Sequence, residues 1–219
     1  MKNLQIFKTQ ITTHSNILKN ITILTLSLVV FFGTSSFSLA NKAETAQLMR
    51  YAAKLSQDGK NKEALKIFLK IASKEPNNFY AYNNLGLVYS QMQETQKALK
   101  AYEKSLSINP TFPMALNNIG YLHMTLGHYD KAEVFLKKSL SHFSSFHLVS
   151  TNLGELYLKQ KRYSEAMKYL KKSLKDMPTL ARTHKLLGEV HQAEGRKEEA
   201  KKEFNLAKKL NKNQNNSNR

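Results

Sequence analysis

Alanines stand at Ala64, Ala98, Ala132, Ala166 and Ala200, each 34 residues from the next. Glycines keep the same step at Gly86, Gly120, Gly154 and Gly188, and Pro76, Pro110 and Pro178 close units. Five copies of this ruler fit from Thr45 to Lys212 with no insertion: 45–78, 79–112, 113–146, 147–180 and 181–212. Self-similarity at this period marks stacked helix pairs, because one pair cannot bury its own apolar face and each needs its neighbours. The chain is thereby committed to an array that presents one long surface to partners.

In the unit that starts at Phe79, the residues Tyr82, Leu85, Gly86 and Tyr89 form an i, i+3, i+4, i+7 stripe. That spacing predicts a first helix, A, with one apolar face. Ala98, Tyr102 and Ser105 belong to a second helix, B, which Pro110 ends. Proline has no N–H to donate and turns the residue before it away from helix. Small residues at Gly86 and Ala98 let the two backbones approach, while Tyr82, Leu85, Tyr89 and Tyr102 fill the space around them. The turn from A to B carries Gly59, Gly127 and Gly195 in three of the five units, where glycine adopts a left-handed backbone freely.

These marks resemble the tetratricopeptide repeat family over residues 45–212: a large or aromatic residue, then Leu-Gly, Tyr, Ala, an aromatic and Pro. Asn84-Leu85-Gly86 and Asn152-Leu153-Gly154 match the pattern closely, and Asn118-Ile119-Gly120 almost as well. The resemblance implies an all-α, right-handed superhelical solenoid of helix-turn-helix repeats. Several positions depart from the pattern. Ala52 replaces the glycine, Arg50 stands where three units have asparagine, Leu136 replaces the helix-B aromatic, and Ser144 replaces proline. Lys201 and Lys208 take registers held earlier by Leu99, Leu106, Leu140 and Leu174, so the last unit ends the array with a polar face. Residues 213–219 are expected to form a disordered, Asn-rich tail.

The resemblance further implies that the A helices line a concave groove that binds a peptide, extended or helical, of another protein. In this register the groove holds Tyr80, Asn83, Asn84 and Leu87 from the second unit. Met114, Asn117, Asn118, Tyr121 and Met124 follow from the third, then Leu148, Thr151, Asn152, Glu155 and Leu158 from the fourth. Asn84, Asn118 and Asn152 recur once per unit. An amide donates and accepts, so the ladder either matches the peptide bonds of an extended ligand or satisfies neighbouring backbone. The Met and Tyr side chains are either adaptable surface for an apolar segment or packing between A helices. Some family members grip a C-terminal carboxylate with lysines, arginine and asparagine. The corresponding positions here are Met49, Ala53, Asn84, Met114 and Asn118, and only the central asparagine fits.

Ahead of the array, Lys2, Lys8 and Lys19 precede an apolar run from Ile21 to Phe32, then Gly33 and small residues ending at Ala40. Residues 1–40 read as an export signal with cleavage after Ala40. The uncharged stretch 20–41 is also long enough for an uncleaved anchor, which stays open as the competing reading. Both place the repeats beyond the membrane, exported as a periplasmic or secreted chain or held to the inner membrane.

The net charge of +18 favours acidic or anionic partners by long-range attraction. Lys66/Lys70, Lys100/Lys104, Lys168/Lys172 and Lys137-Lys138 fall on one outer stripe of the B helices. The plain reading is a solvated face and the sharper one is contact with an anionic membrane surface. Nucleic acid is not expected for an exported chain.

The chain has no cysteine, which excludes disulfides and thiolate metal sites. It carries no phosphate-binding glycine loop, no Gly-x-Ser-x-Gly and no His-Glu-x-x-His. His184 and His191 are seven residues apart, about 10 Å along a helix axis and too far to share a metal. His123 and His191 hold the positions of Tyr89 and Tyr157, which predicts packed histidines. No catalytic residue, metal or cofactor is expected. The reading is a protein-binding scaffold or assembly factor of the cell envelope, not an enzyme.

Overall fold

The computed structural model describes residues 41–143, 145 and 147–217. The export signal expected at 1–40 therefore lies outside the described residues. The chain forms two units, 1–51 and 52–219. Of the first, residues 41–51 are described and are helical; they belong to α1, which is helical over 41–57. Nine further helices follow among the described residues: α2 (Asn61–Lys74), α3 (Phe79–Gln91), α4 (Thr95–Ile108), α5 (Pro113–Thr125), α6 (Tyr129–His142), α7 (His147–Lys159), α8 (Tyr163–Asp176), α9 (Ala181–Ala193) and α10 (Lys197–Ser217). The described residues contain no strand. Odd-numbered helices from α3 onward are the A helices of the ruler and even-numbered ones the B helices.

The turn from A to B is one motif repeated at the 34-residue step. At the second turn Gln93 N–H donates to the Ser90 carbonyl and Glu94 N–H to the Tyr89 carbonyl, and the pattern recurs at Gly127/His128, Lys161/Arg162 and Gly195/Arg196. Such paired bonds close a helix whose capping residue is left-handed. Gly59, Gly127 and Gly195 have φ of 76–78°, and the two units without glycine hold Gln93 at 61° and Lys161 at 60°. The geometry thus persists where the glycine does not, at a steric cost of about 1–2 kcal/mol for each side chain. The turn from B to A is equally regular. Glu75, Asn109, Phe143 and Met177 end their helices with φ between −126° and −148°. Proline follows three of them and imposes the extended backbone. Phe143 adopts it before a serine, so packing of the flanking helices suffices there.

Each A helix lies close against its B helix at the repeated glycine. A β-carbon built on Gly86 would stand 2.5 Å from the Tyr102 ring, and on Gly120 2.7 Å from Leu136. On Gly154 it would stand 2.5 Å from Leu170, and on Gly188 2.6 Å from Phe204. The partner is thus always the B residue 16 positions later, whether aromatic or leucine. A second tie was not anticipated. Ser105, Ser139 and Ser173 are fully buried, and each donates to the carbonyl of the first residue of its own A helix: Phe79 (2.8 Å), Pro113 (2.7 Å) and His147 (3.1 Å). These bonds fix B on A and give the buried hydroxyls partners that burial demands.

Successive A helices touch (α3 with α5, α5 with α7, α7 with α9), whereas no two B helices do among the described residues. The A layer is therefore the tight, inner side of the stack in residues 52–219. The last helix runs on to Ser217, so residues 213–217 are helical rather than the disordered tail expected from composition. No Pro or Gly follows Lys212 to interrupt the helix that packing has already nucleated.

Candidate functional site

The inner surface is built from the faces of α3, α5 and α7 that turn away from the B helices. Tyr80, Met114 and Leu148, one per repeat at the same register, are 42–48% exposed. Leu87 and Tyr121 share a second register and are 38–39% exposed. Tyr80 is steadied by Phe79 and Phe112, with ring centroids at 4.2 and 5.1 Å. The five side chains make an apolar surface along three consecutive A helices.

The amides behave otherwise. Asn152 donates to Asn117 (2.8 Å), Asn117 to Asn118 (3.2 Å), and Asn118 to Asn83 (3.0 Å). One relay therefore sews α7 to α5 and α5 to α3. Asn84 donates to the Tyr80 carbonyl of its own helix at 2.9 Å. Asn83, Asn117 and Asn152 are only 4–7% exposed. Hydrogen bonds between amides at a close helix seam are short of water competition, so these groups are committed to each other. In the fourth repeat the relay changes chemistry. Thr151 is bonded to Ser173 (2.8 Å) and Thr183 (2.9 Å), which carries the seam from α7 to α9.

Met124 and the polar residues Asn83, Asn117, Thr151 and Asn152, all expected in the groove, are buried and need correction. Met124 is 2% exposed and belongs to the core cluster with Leu136, Leu153 and Leu156, because the last turn of α5 is covered by the next repeat. Asn118 and Asn152 of the ladder reach sideways to partners on neighbouring A helices, while Asn84 donates to the Tyr80 carbonyl of its own helix. The other end of the inner surface is charged. Arg182 of α9 is ion-paired with Glu155 and lies 5.6 Å from the Tyr121 ring centroid, and Lys159 lies 3.8 Å from Glu155.

A second polar cluster lies where α6 meets the next repeat. Glu133 of α6 accepts from Tyr157 (2.9 Å), Arg162 (2.9 Å) and Lys137 (2.6 Å). Burial works to raise the Glu133 carboxyl, but the bonds from Lys137, Tyr157 and Arg162 outweigh it and hold the carboxyl below its usual range. Burial, then the Glu133 bond, push the Tyr157 phenol up to about 12. This cluster joins the third repeat to the fourth. His123 stacks on Phe135 at 5.7 Å and is pushed below its ordinary value by burial, with Lys131 and His128 adding to it. His184 is buried between Glu203 (2.6 Å) and the Pro178 carbonyl (3.0 Å), a tie between α9, α10 and the preceding turn. Among the described residues no three His, Cys, Asp or Glu side chains come together as a metal site. No helix among them is long and apolar enough to cross a membrane.

Tetratricopeptide repeat family models match residues 79–112, 101–134 and 153–216. The chain is a tetratricopeptide repeat protein. No match was found among curated proteins. Several solved structures are similar to this tetratricopeptide repeat protein. One is the pilF protein of Pseudomonas aeruginosa (20% identity, TM-score 0.69, covering 76% of this chain and 76% of that one). Another is PilW, a widely conserved type IV pilus biogenesis factor (20%, TM-score 0.70, 77% and 78%). MamA from Desulfovibrio magneticus RS-1 is a third (20%, TM-score 0.62, 78% and 97%). At these identities the likeness speaks for the fold. Tetratricopeptide repeat proteins generally bind other proteins.

Proposed function

We propose that the protein is an exported scaffold or assembly factor of the cell envelope that holds an amphipathic helix of a partner protein on its inner surface. The observation that carries this is the row of exposed apolar side chains, Tyr80, Leu87, Met114, Tyr121 and Leu148, beside amides already bonded to one another. An extended peptide needs donors and acceptors for its backbone, and this surface has spent most of its own. A helix satisfies its backbone internally and offers an apolar stripe, so it fits better. The likeness to PilW, a pilus biogenesis factor, supports an assembly role, and the features of residues 1–40 support a place beyond the membrane. The role is binding; no catalytic group is assigned.

The test is photo-crosslinking in cells from Tyr121 and Leu148, with Glu103 on the outer side as control. The crosslinked segment should be an amphipathic helix, and a synthetic peptide of that segment should bind at least tenfold more weakly to Met114→Ser/Leu148→Ser at unchanged melting temperature. Crosslinks only from Glu103, or an unaltered peptide affinity, refute the groove. Asn117→Ala is unsuitable as a binding probe, since it breaks the relay.

The lysines of the B helices favour a second reading, contact with an anionic membrane surface. Lys54, Lys97, Lys137, Lys159 and Lys185 each have a carboxylate partner. Lys66, Lys70, Lys100, Lys104, Lys138 and Lys168 are exposed, and none is ion-paired among the described residues. Retention on vesicles containing anionic lipid that disappears at high salt supports this reading. Equal retention on neutral vesicles removes it.

A further inference from the structure

We infer that the free face of α9 and α10 is a docking seat for a helix of a partner protein that carries acidic residues beside its apolar stripe. In every preceding repeat this seat is filled by the next A helix. Leu99, Tyr102 and Leu106 of α4 cluster with Ile119 and Leu122 of α5, and Met167, Leu170 and Leu174 of α8 with Leu186, Leu187 and Val190 of α9. In the last repeat the same registers hold Lys201, Phe204 and Lys208. Phe204 and Lys208 line a depression of about 430 Å³ together with Ala181, Arg182, Lys185, Ala207 and Asn211.

Three observations point to an occupant. Phe204 is only half-buried, whereas Tyr102, Leu136 and Leu170 at its register are 0–2% exposed, so the seat keeps an unsealed aromatic floor. The wall is long, since α4, α6 and α8 have 14 residues and α10 has 21. At 1.5 Å per residue the excess adds about 10 Å of helix. The rim is cationic at Lys201 and Lys208, which are exposed and not ion-paired among the described residues, whereas Arg182 and Lys185 beside them are paired with Glu155 and Glu189.

Charge selects among helices that could fill the seat. A second copy of this chain would bring α1, whose residues 41–57 carry Lys42, Arg50 and Lys54 against Glu44. Cation would meet cation, which disfavours head-to-tail growth of the array. A partner helix with small and apolar residues on one stripe and glutamates or aspartates at its margins meets both the aromatic floor and the cationic rim. The seat lies at the α9/α10 end of the stack and shares Arg182 with the inner surface described above.

The experiment uses the full chain in mild detergent and two labelled, hydrocarbon-stapled 14-residue helices. Both carry the same Leu/Ala stripe; one is flanked by glutamates and the other by lysines. Fluorescence anisotropy should show the glutamate helix binding at least tenfold tighter. Lys201→Glu/Lys208→Glu should reverse that preference at unchanged helicity, and the milder Lys208→Gln should weaken binding several-fold. An equal charge reversal on the outer side, Lys66→Glu/Lys100→Glu, and the groove variant Met114→Ser/Leu148→Ser should leave the affinity within twofold. Equal loss in both charge-reversal variants means attraction to net charge alone and overturns the seat. Loss in the groove variant with retention in the end variant overturns it as well. So does concentration-dependent self-association of the chain that Lys208→Gln abolishes, which would seat a second copy there.

Discussion

Adding one methyl group at Gly154 should drive α7 and α8 apart. The β-carbon of Gly154→Ala would lie 2.5 Å from Cγ and Cδ2 of Leu170 and 3.4 Å from the Ala166 carbonyl oxygen. Carbon atoms rest about 3.5–4.0 Å apart, so about 1 Å must be found. Leu170 cannot swing aside, because it and Ala166 are fully buried. Overpacking of this kind costs about 1–3 kcal/mol, and the better helix propensity of alanine returns about 1 kcal/mol. The net loss reaches about 2 kcal/mol, which at about 2–4 °C per kcal/mol lowers the melting temperature by up to about 8 °C. The decisive measurement is a double-mutant cycle with Leu170→Ala, followed by circular dichroism during thermal and urea unfolding. Leu170→Ala alone costs about 2–5 kcal/mol through its cavity. In that background the clash is gone, the new methyl group enters the cavity, and Gly154→Ala should stabilise by about 1 kcal/mol. The change of sign gives a coupling of more than about 1 kcal/mol. Additive effects, with Gly154→Ala equally tolerated in both backgrounds, would show that the helices are not in contact at this point.

Lys161→Gly and Gln93→Gly should each raise stability by a few tenths of a kcal/mol up to about 1 kcal/mol, since the strain of a left-handed side chain exceeds the entropy cost of glycine. Gly127→Ala should lower it by about 1 kcal/mol, and an opposite order of the three urea midpoints refutes the turn geometry. Glu133→Gln should destabilise by about 1–3 kcal/mol at neutral pH by weakening bonds to Lys137, Tyr157 and Arg162. The Glu133 carboxyl is held below its usual range when folded, so its contribution is complete above about pH 4.3 and fades as pH falls through the folded value. A stability gap between wild type and Glu133→Gln that stays constant down to pH 3 contradicts this assignment.

The helices, their pairing and the close approach at Gly86, Gly120, Gly154 and Gly188 were legible in the sequence, because each depends on a residue type that recurs at a fixed step. The aromatic expected opposite the glycine is less informative than the position, since Leu136 and Leu170 fill the same space as Tyr102. The serine ties were not legible in the sequence, although Ser105, Ser139 and Ser173 are also 34 residues apart. A serine in a helix interior has no periodic signature that separates a buried donor from a solvated one. Gln93 and Lys161 were hidden for a related reason: the backbone they adopt is one that their side chains disfavour, so only the surrounding helices explain it.

The candidate surface divides in the same way. Tyr80, Leu87, Met114, Tyr121 and Leu148 are exposed. For Met124 and the asparagines, register along one helix could not tell whether the neighbouring repeat reaches the side chain. The amide relay needs Asn152 to meet Asn117 and Asn118 to meet Asn83, each pair 35 residues apart, and only the lateral offset of packed A helices creates that meeting. The 34-residue pattern by itself determined that this chain is a stack of helix pairs and which residues can sit at each helix seam, because burial and turn chemistry act locally and repeat. Tertiary structure alone decided which polar groups are consumed by the seams and which apolar ones remain open to a partner, because that depends on distances between repeats that no single repeat contains.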